Sequence, residues 1–246
     1  MSTTAEQTHE GTEPAPAGSK NSKAAWRFIR DILIILLIAI VISFLIKTFL
    51  VRSFYIPSAS MENTLQINDR ILVNELVPTP IGLERGDVVV FSDPGGWLGP
   101  SAEPERSGIE EGVDAVLGFI GLTAPDSNDH LIKRVIGLPG DTVTCCSAHG
   151  QLVINGVPID EPYIVLNGQT KATRDDFTVT VPEGFLWVMG DNRYNSGDSV
   201  AHRNDPSGGF VPIDNVVGRA LVISWPANRW SWLDNYSSVF EGVEPK

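Results

Sequence analysis

From Ile32 to Val51 the chain runs for 20 residues with Ser43, Lys47 and Thr48 as its only polar members. As a helix such a run rises about 30 Å, the thickness of a hydrocarbon core. Residues 24–52 are therefore expected to form a transmembrane anchor, with Trp26 at one interface and Lys47 snorkelling at the other. Lys20, Lys23, Arg27 and Arg30 precede the run and outweigh Lys47 and Arg52 after it. That bias places the N-terminus in the cytoplasm and everything past the anchor outside it, as in a single-pass protein of the plasma membrane. A cleaved leader is the competing reading, because Ser58-Ala59-Ser60 is a run of small residues downstream of an apolar stretch. Against it, leader peptides carry apolar regions of about 7–15 residues, shorter than this one, and the run sits behind a long polar tail.

The flanks of the anchor differ. Residues 1–23 are rich in Thr, Glu, Ala, Pro, Gly and Ser without apolar period, and read as a disordered cytoplasmic tail. The net charge of -12 is unevenly placed: residues 1–52 carry +2, and beyond the anchor twelve Lys and Arg face twenty-six Asp and Glu, or -14. So acidic a domain excludes nucleic acid as a partner. Cys145 and Cys146 are the only cysteines, and no metal-ligand spacing exists. Neighbours on a strand point to opposite faces, so two free thiols are expected, with a strained vicinal disulfide as the alternative.

Residues 53–235 read as one mostly β domain. Short apolar segments at Arg70–Asn74, Asp87–Phe91, His130–Gly137, Leu152–Ile154, Val157–Ile159, Thr178–Val181, Phe185–Met189 and Val217–Trp225 are separated by turn residues. Asn155-Gly156 is a two-residue hairpin signal. Residues 92–129 break the rhythm and read as an insertion with one short helix near Val113–Leu122; residues 236–246 read as a C-terminal tail.

Within this frame, Ile56–Leu65, IPSASMENTL, holds a serine that could act as a nucleophile if a base serves it. Three histidines, His130, His149 and His202, lie past the anchor, and spacing alone excludes none of them. Lysine is the sharper choice. Only Lys133, Lys171 and Lys246 follow the anchor, and Lys133 lies in HLIKRVIG, the segment most suited to burial. Strand alternation groups Lys133 with Leu131 and Val135, and Arg134 with Ile132 and Ile136. Desolvation would lower the amine's pKa and make it a base for serine; a lysine snorkelling from a strand edge is the plainer alternative. A second polar cluster, MGDNRYNSGDSVAHR, follows the apolar FLWV.

IPSASMENTL, RGDVVVF, KRVIGLPGD and MGDNRYNSGDS, in that order behind an anchor, resemble the bacterial type I signal peptidases, of the single-anchor kind seen in actinobacteria. The resemblance covers the anchor and most of residues 54–225. It implies a signal-peptidase-like β-sheet domain with one N-terminal transmembrane helix, and no metal or cofactor. It implies that Ser60 is the nucleophile and Lys133 the general base. The Ser60 backbone N–H and the Ser58 hydroxyl would form the oxyanion hole. Ser196 would hydrogen-bond Lys133, and Asp191 and Arg134 would pair as support. Ile56 and Ile132 would line shallow pockets for small substrate side chains, with Pro57 and Met61 beside them. The implied partners are preproteins bearing signal peptides, cut after Ala-x-Ala, and the lipid bilayer, on which Trp225, Trp230 and Trp232 could rest. Ser60 follows Val51 by only nine residues, which suits cleavage near the membrane surface.

Three positions depart from the family pattern: Asn63 for a proline, Tyr194 for an aspartate, and Val200 for an arginine that would pair with Asp198. Arg203 is the candidate replacement. The rival from another class is an anchored β domain that binds partners without catalysis, for which Ser60 and Lys133 would be dispensable.

Overall fold

The computed structural model describes residues 20–98 and 129–244. Most of the expected disordered tail and the short helix expected near 113–122 lie outside the described residues. The first element, α1, spans Lys20–Phe49 and contains neither Gly nor Pro. It begins earlier than expected, so Lys20 to Lys23 belong to the helix rather than to the tail. Its described side chains, Trp26, Ile35 and Leu37 among them, are exposed on every side. Arg27, Arg30 and Asp31 lie in its first half, with Arg30 donating to Asp31 at 2.8 Å. Among the described residues no helix is long and apolar enough to cross a membrane.

The run Ile32–Val51 is not one helix to its end. Val51 and Arg52 open a strand, β1 (Val51–Tyr55), which pairs antiparallel with β2 (Arg70–Asn74) from Val51 opposite Asn74 to Tyr55 opposite Arg70. Val, Phe and Tyr favour an extended chain, and Phe54 is buried in the core once β1 pairs. Then follow β3 (Val88–Ser92), β4 (His130–Gly137), β5 (Thr142–Cys145), β6 (Leu152–Ile154), β7 (Val157–Pro158), β8 (Phe177–Thr180), β9 (Phe185–Met189), β10 (Val211–Pro212), β11 (Val216–Trp225) and β12 (Ser231–Trp232).

These form two antiparallel sheets. The larger runs β1-β2-β11-β3-β4-β9-β10, with β12 on β11; the smaller runs β7-β6-β5-β8. Strands β3 and β4 lie inside the larger sheet and are buried on both faces, which is why they read as unbroken apolar runs. Val88, Val90 and Ile132 pack on one face with Phe54, Met61, Leu65 and Ile71. Val89, Phe91, Leu131 and Val135 pack on the other with Trp97, Leu186 and Val188. A third cluster joins Ile136, Trp187 and Met189 to Val143, Leu152 and Ile154 of the smaller sheet. Asn155 and Gly156 both take positive φ, 51° and 86°, as the hairpin between β6 and β7 demands.

Four further expectations change. Cys145 and Cys146 are joined in a disulfide, across a cis peptide bond. The strand ends at Cys145, so the alternation argument does not reach Cys146. The expected C-terminal tail is not a tail throughout, because Phe240 and Val243 are apolar and close the third cluster. The expected insertion begins late: the Asp93 carboxylate caps a turn by accepting the N–H groups of Gly95, Trp97 and Leu98, and Trp97 is buried. Arg203 does not replace the missing arginine. It pairs with Asp175 and donates to the Val200 carbonyl, because it lies a helical turn's spacing past Val200 and reaches that carbonyl first.

Candidate active site

Ser60 sits on the loop 56–69 that joins β1 to β2. The neck of this loop is closed by the Ile56 N–H on the Asp69 carbonyl and the Asn68 N–H on the Ile56 carbonyl. Tight turns follow, in which the Glu62 N–H reaches Ala59 and the Leu65 N–H reaches Met61. Met61 and Leu65, both fully buried, plug the loop into the core. Asn63 holds φ at 85°, which a proline cannot reach, and its side chain donates to the Tyr163 carbonyl at 3.1 Å. The departure from proline therefore fastens this turn.

Asn192 fixes the serine from the other side. Its N–H donates to the Ser60 carbonyl at 3.1 Å, and its Nδ2 donates to the Ala59 carbonyl and to Glu62 Oε2. Gly190 makes the contact possible. A Cβ there would stand 2.5 Å from the Ser60 carbonyl oxygen and 2.3 Å from Ser196 Oγ.

Lys133 arrives from β4 and is 3% exposed. Its Nζ donates to Ser60 Oγ at 2.9 Å and to the Ile132 carbonyl at 2.8 Å. Burial pushes the amine down to about 8, against the pull of the Asp198 and Asp191 carboxylates, which favour its charged form. Ser58 Oγ lies 3.3 Å from Ser60 Oγ. A buried amine of lowered pKa against a serine hydroxyl is an arrangement that can activate a nucleophile.

Beside this pair, Arg134 and Asp191 form a fully buried two-pronged ion pair at 2.9 and 2.7 Å. Arg134 also donates to the Gly86 and Asp234 carbonyls, and its guanidinium lies 4.0 Å from the Tyr163 ring centre. Thr64 donates to Asp191, and Arg85 grips Asp141 with two bonds of 2.7 Å. All four motif blocks are thus bonded to one another.

The expected bond from Ser196 to Lys133 is not formed. Ser196 Oγ is buried against Gly190 and has no hydrogen-bond partner. Of the residues expected to meet substrate, Pro57 is exposed, while Ile56, Met61 and Ile132 are 2%, 0% and 7% exposed within the core cluster that carries the loop. A cavity of about 530 Å³ is lined by Ser196, Asp198, Val200, Tyr194 and Arg203, among others; neither Ser60 nor Lys133 lines it. The histidines engage elsewhere. His202 pairs with Asp205 and stacks on Trp97 at 4.6 Å, His130 lies against Phe54, and His149 is exposed. Among the described residues the group with ligand spacing for a metal is Cys145, Cys146 and Asp176, whose sulfurs the disulfide already occupies.

Sequence reasoning placed Asn192 in the polar cluster without a role, and missed Thr64, Gly190 and Tyr163. Asn192 and Gly190 flank Asp191 within MGDNR, but nothing in one sequence says which loop they meet.

Comparison with known proteins shows the family. The family described as signal peptidase, peptidase S26, matches residues 29–225. The chain is 38% identical over 244 residues to a probable signal peptidase I of Mycobacterium leprae, covering 89% of this chain and 82% of that one. It is 38% identical over 241 residues to signal peptidase I of Mycobacterium tuberculosis, covering 90% and 81%. To a probable signal peptidase I-1 of Synechocystis it is 32% identical over 214 residues, covering 87% and 91%.

Proposed function

The chain belongs to the signal peptidase family, peptidase S26, and is a signal peptidase I, a hydrolase that removes signal peptides; we propose that it does so through Ser60 as nucleophile and Lys133 as general base. The observation that carries the assignment is the buried contact of 2.9 Å between Lys133 Nζ and Ser60 Oγ. Once neutral, the amine takes the proton of the Ser60 hydroxyl as Oγ attacks the scissile carbonyl. The resulting ammonium then protonates the departing amine of the mature chain. A water, activated by the same amine, releases the signal peptide from the ester on Ser60.

The carbonyl oxygen becomes negative in this step. The Ser60 backbone N–H and the Ser58 hydroxyl are the donors we assign to it; one such donor is worth about 3 kcal/mol at the transition state. Asp191 and Arg134 act as support and Ser196 as a neighbour of the pair. Ile56 and Ile132, beside the exposed Pro57, are the side chains we assign to the shallow pockets that favour small residues; Met61, fully buried, supports the loop from within the core instead. No metal or cofactor takes part.

The finer placement is part of the same proposal. α1 anchors the chain in the plasma membrane as a single span, N-terminus cytoplasmic, with residues 53–235 outside. The sequence supports this: from Ile32 to Phe49 the single charge is Lys47. The bilayer is a second partner, met by the exposed side chains of Trp225, Trp230 and Trp232.

The test is the pH dependence of preprotein cleavage. Because the base works only when deprotonated and its pKa is about 8, the rate should climb as pH rises through that value and level off above it. A rate constant from pH 6 to 10 would remove Lys133 from the role.

A further inference from the structure

Asp198 lies on the loop after β9 and is 3% exposed. Its Oδ2 accepts the Gly190 N–H at 3.0 Å and its Oδ1 accepts the Val200 N–H at 3.1 Å. Among the described residues no cationic side chain pairs with it. Arg134 is taken by Asp191, Arg193 by Glu161 and Arg203 by Asp175. A carboxylate held by two backbone donors and facing no counter-ion acts on neighbouring charges through a poorly screened medium.

The charged and titratable groups around Lys133 can be named. Its own strand contributes Arg134 and, at its start, His130, whose ring packs on Phe54; the loop after β9 contributes Asp191, Arg193 and Asp198. The adjoining β3 presents Val88 to Phe91, none of which titrates, and the Ser60 turn presents the hydroxyls of Ser58 and Ser60 and, two residues on, the Glu62 carboxylate, which accepts from Asn192. Asp191, Arg134 and Arg193 are neutralised in ion pairs; Asp198 is not. Asp198 is also the carboxylate that acts most strongly on the Lys133 amine. It holds Gly190, and Gly190 packs on the Ser60 carbonyl, so charge and support reach the site from one residue.

We propose that Asp198 is a positioning residue for the Ser60–Lys133 pair, whose unpaired buried carboxylate sets the pH at which Lys133 becomes a base and steadies the ammonium formed when Ser60 attacks. This rests on the assignment of Ser60 and Lys133 above. In the acylation step the proton moves from Ser60 Oγ to Lys133 Nζ, and the new positive charge appears near Asp198.

The experiment is the pH–rate profile of preprotein cleavage by the full-length, detergent-solubilised protein and its Asp198→Asn, Val200→Arg and Lys133→Ala variants. Asp198→Asn removes the charge. The neutral amine then persists to lower pH, and the acidic limb should move down by about one unit. The plateau should fall severalfold, because the ammonium loses its steadying charge. Asn must turn one of its two ends unfavourably toward a backbone N–H, so this variant risks misfolding. Val200→Arg leaves both backbone bonds in place, and the cavity of about 530 Å³ lined by Val200 and Asp198 gives the longer side chain room. It should shift the limb in the same direction. A limb unmoved in the folded variants, whatever the plateau does, overturns the proposal and leaves Asp198 a loop tie. Cleavage that survives Lys133→Ala would instead overturn the assignment of the base.

Discussion

Lys133 carries the clearest cost of function at a single residue. Its amine falls from an ordinary 10.5 to about 8 because it is wholly buried. At about 1.4 kcal/mol per pH unit, the folded protein gives up roughly 3 kcal/mol to hold it protonated below pH 8. The sign is fixed by linkage: between about pH 8 and 10.5 the unfolded chain binds the proton and the folded chain does not, so stability rises with pH there. Lys133→Met should therefore raise stability by up to about 3 kcal/mol at pH 7, with the gain gone near pH 11, while cleavage is lost. Denaturant melts at both pH values would check this. Equal stability gains at both pH values would mean that packing, not charge burial, is responsible. The residue types of the site were legible, since a lone lysine in HLIKRVIG invites burial. The pairing with Ser60 came from the family resemblance, and the support that holds it was not legible. It depends on the Asn192 bonds and on the missing Cβ of Gly190, both made across 130 residues of chain.

At the scale of elements, the strands whose interiors are apolar were read closely: Arg70–Asn74, His130–Gly137, Leu152–Ile154 and Phe185–Met189 stand where expected. β5 was missed because TVTC follows a strong turn and carries two threonines, and it is held by pairing with β6 and β8 rather than by its own pattern. β1 was masked at its start by the apolar run, which ends on its first residue, Val51. What fastens β4 to the loop after β9 is the Arg134–Asp191 pair, with no exposure on either side chain. Removing one partner from such a pair leaves a buried charge uncompensated, at about 3–5 kcal/mol. Arg134→Ala should lower the unfolding free energy by that amount, as read from urea midpoints, and reduce cleavage at temperatures where the variant is still folded. A loss under 1 kcal/mol would show that water enters and relieves Asp191.

At the scale of the whole molecule, a β domain bearing a Ser–Lys pair follows helix α1, which carries charges up to Asp31 and is apolar from Ile32 to Phe44 apart from Ser43. The proposed membrane anchor rests on that apolar stretch. The full chain should stay with the membrane fraction after alkaline carbonate extraction. A chain beginning at Leu50 should be largely released, with any remainder attributable to the exposed tryptophans. Release of the full chain by carbonate would contradict the anchor.

The central claim is that Ser60 and Lys133 together perform the cleavage. The most direct measurement is the trimming of a preprotein with an Ala-x-Ala site by detergent-solubilised protein, read by mass spectrometry of the mature chain, beside Ser60→Ala and Lys133→Ala. The account predicts one cut after Ala-x-Ala by the native chain, and loss of at least a thousandfold in each variant while both remain folded. Trimming that persists in either folded variant would contradict it.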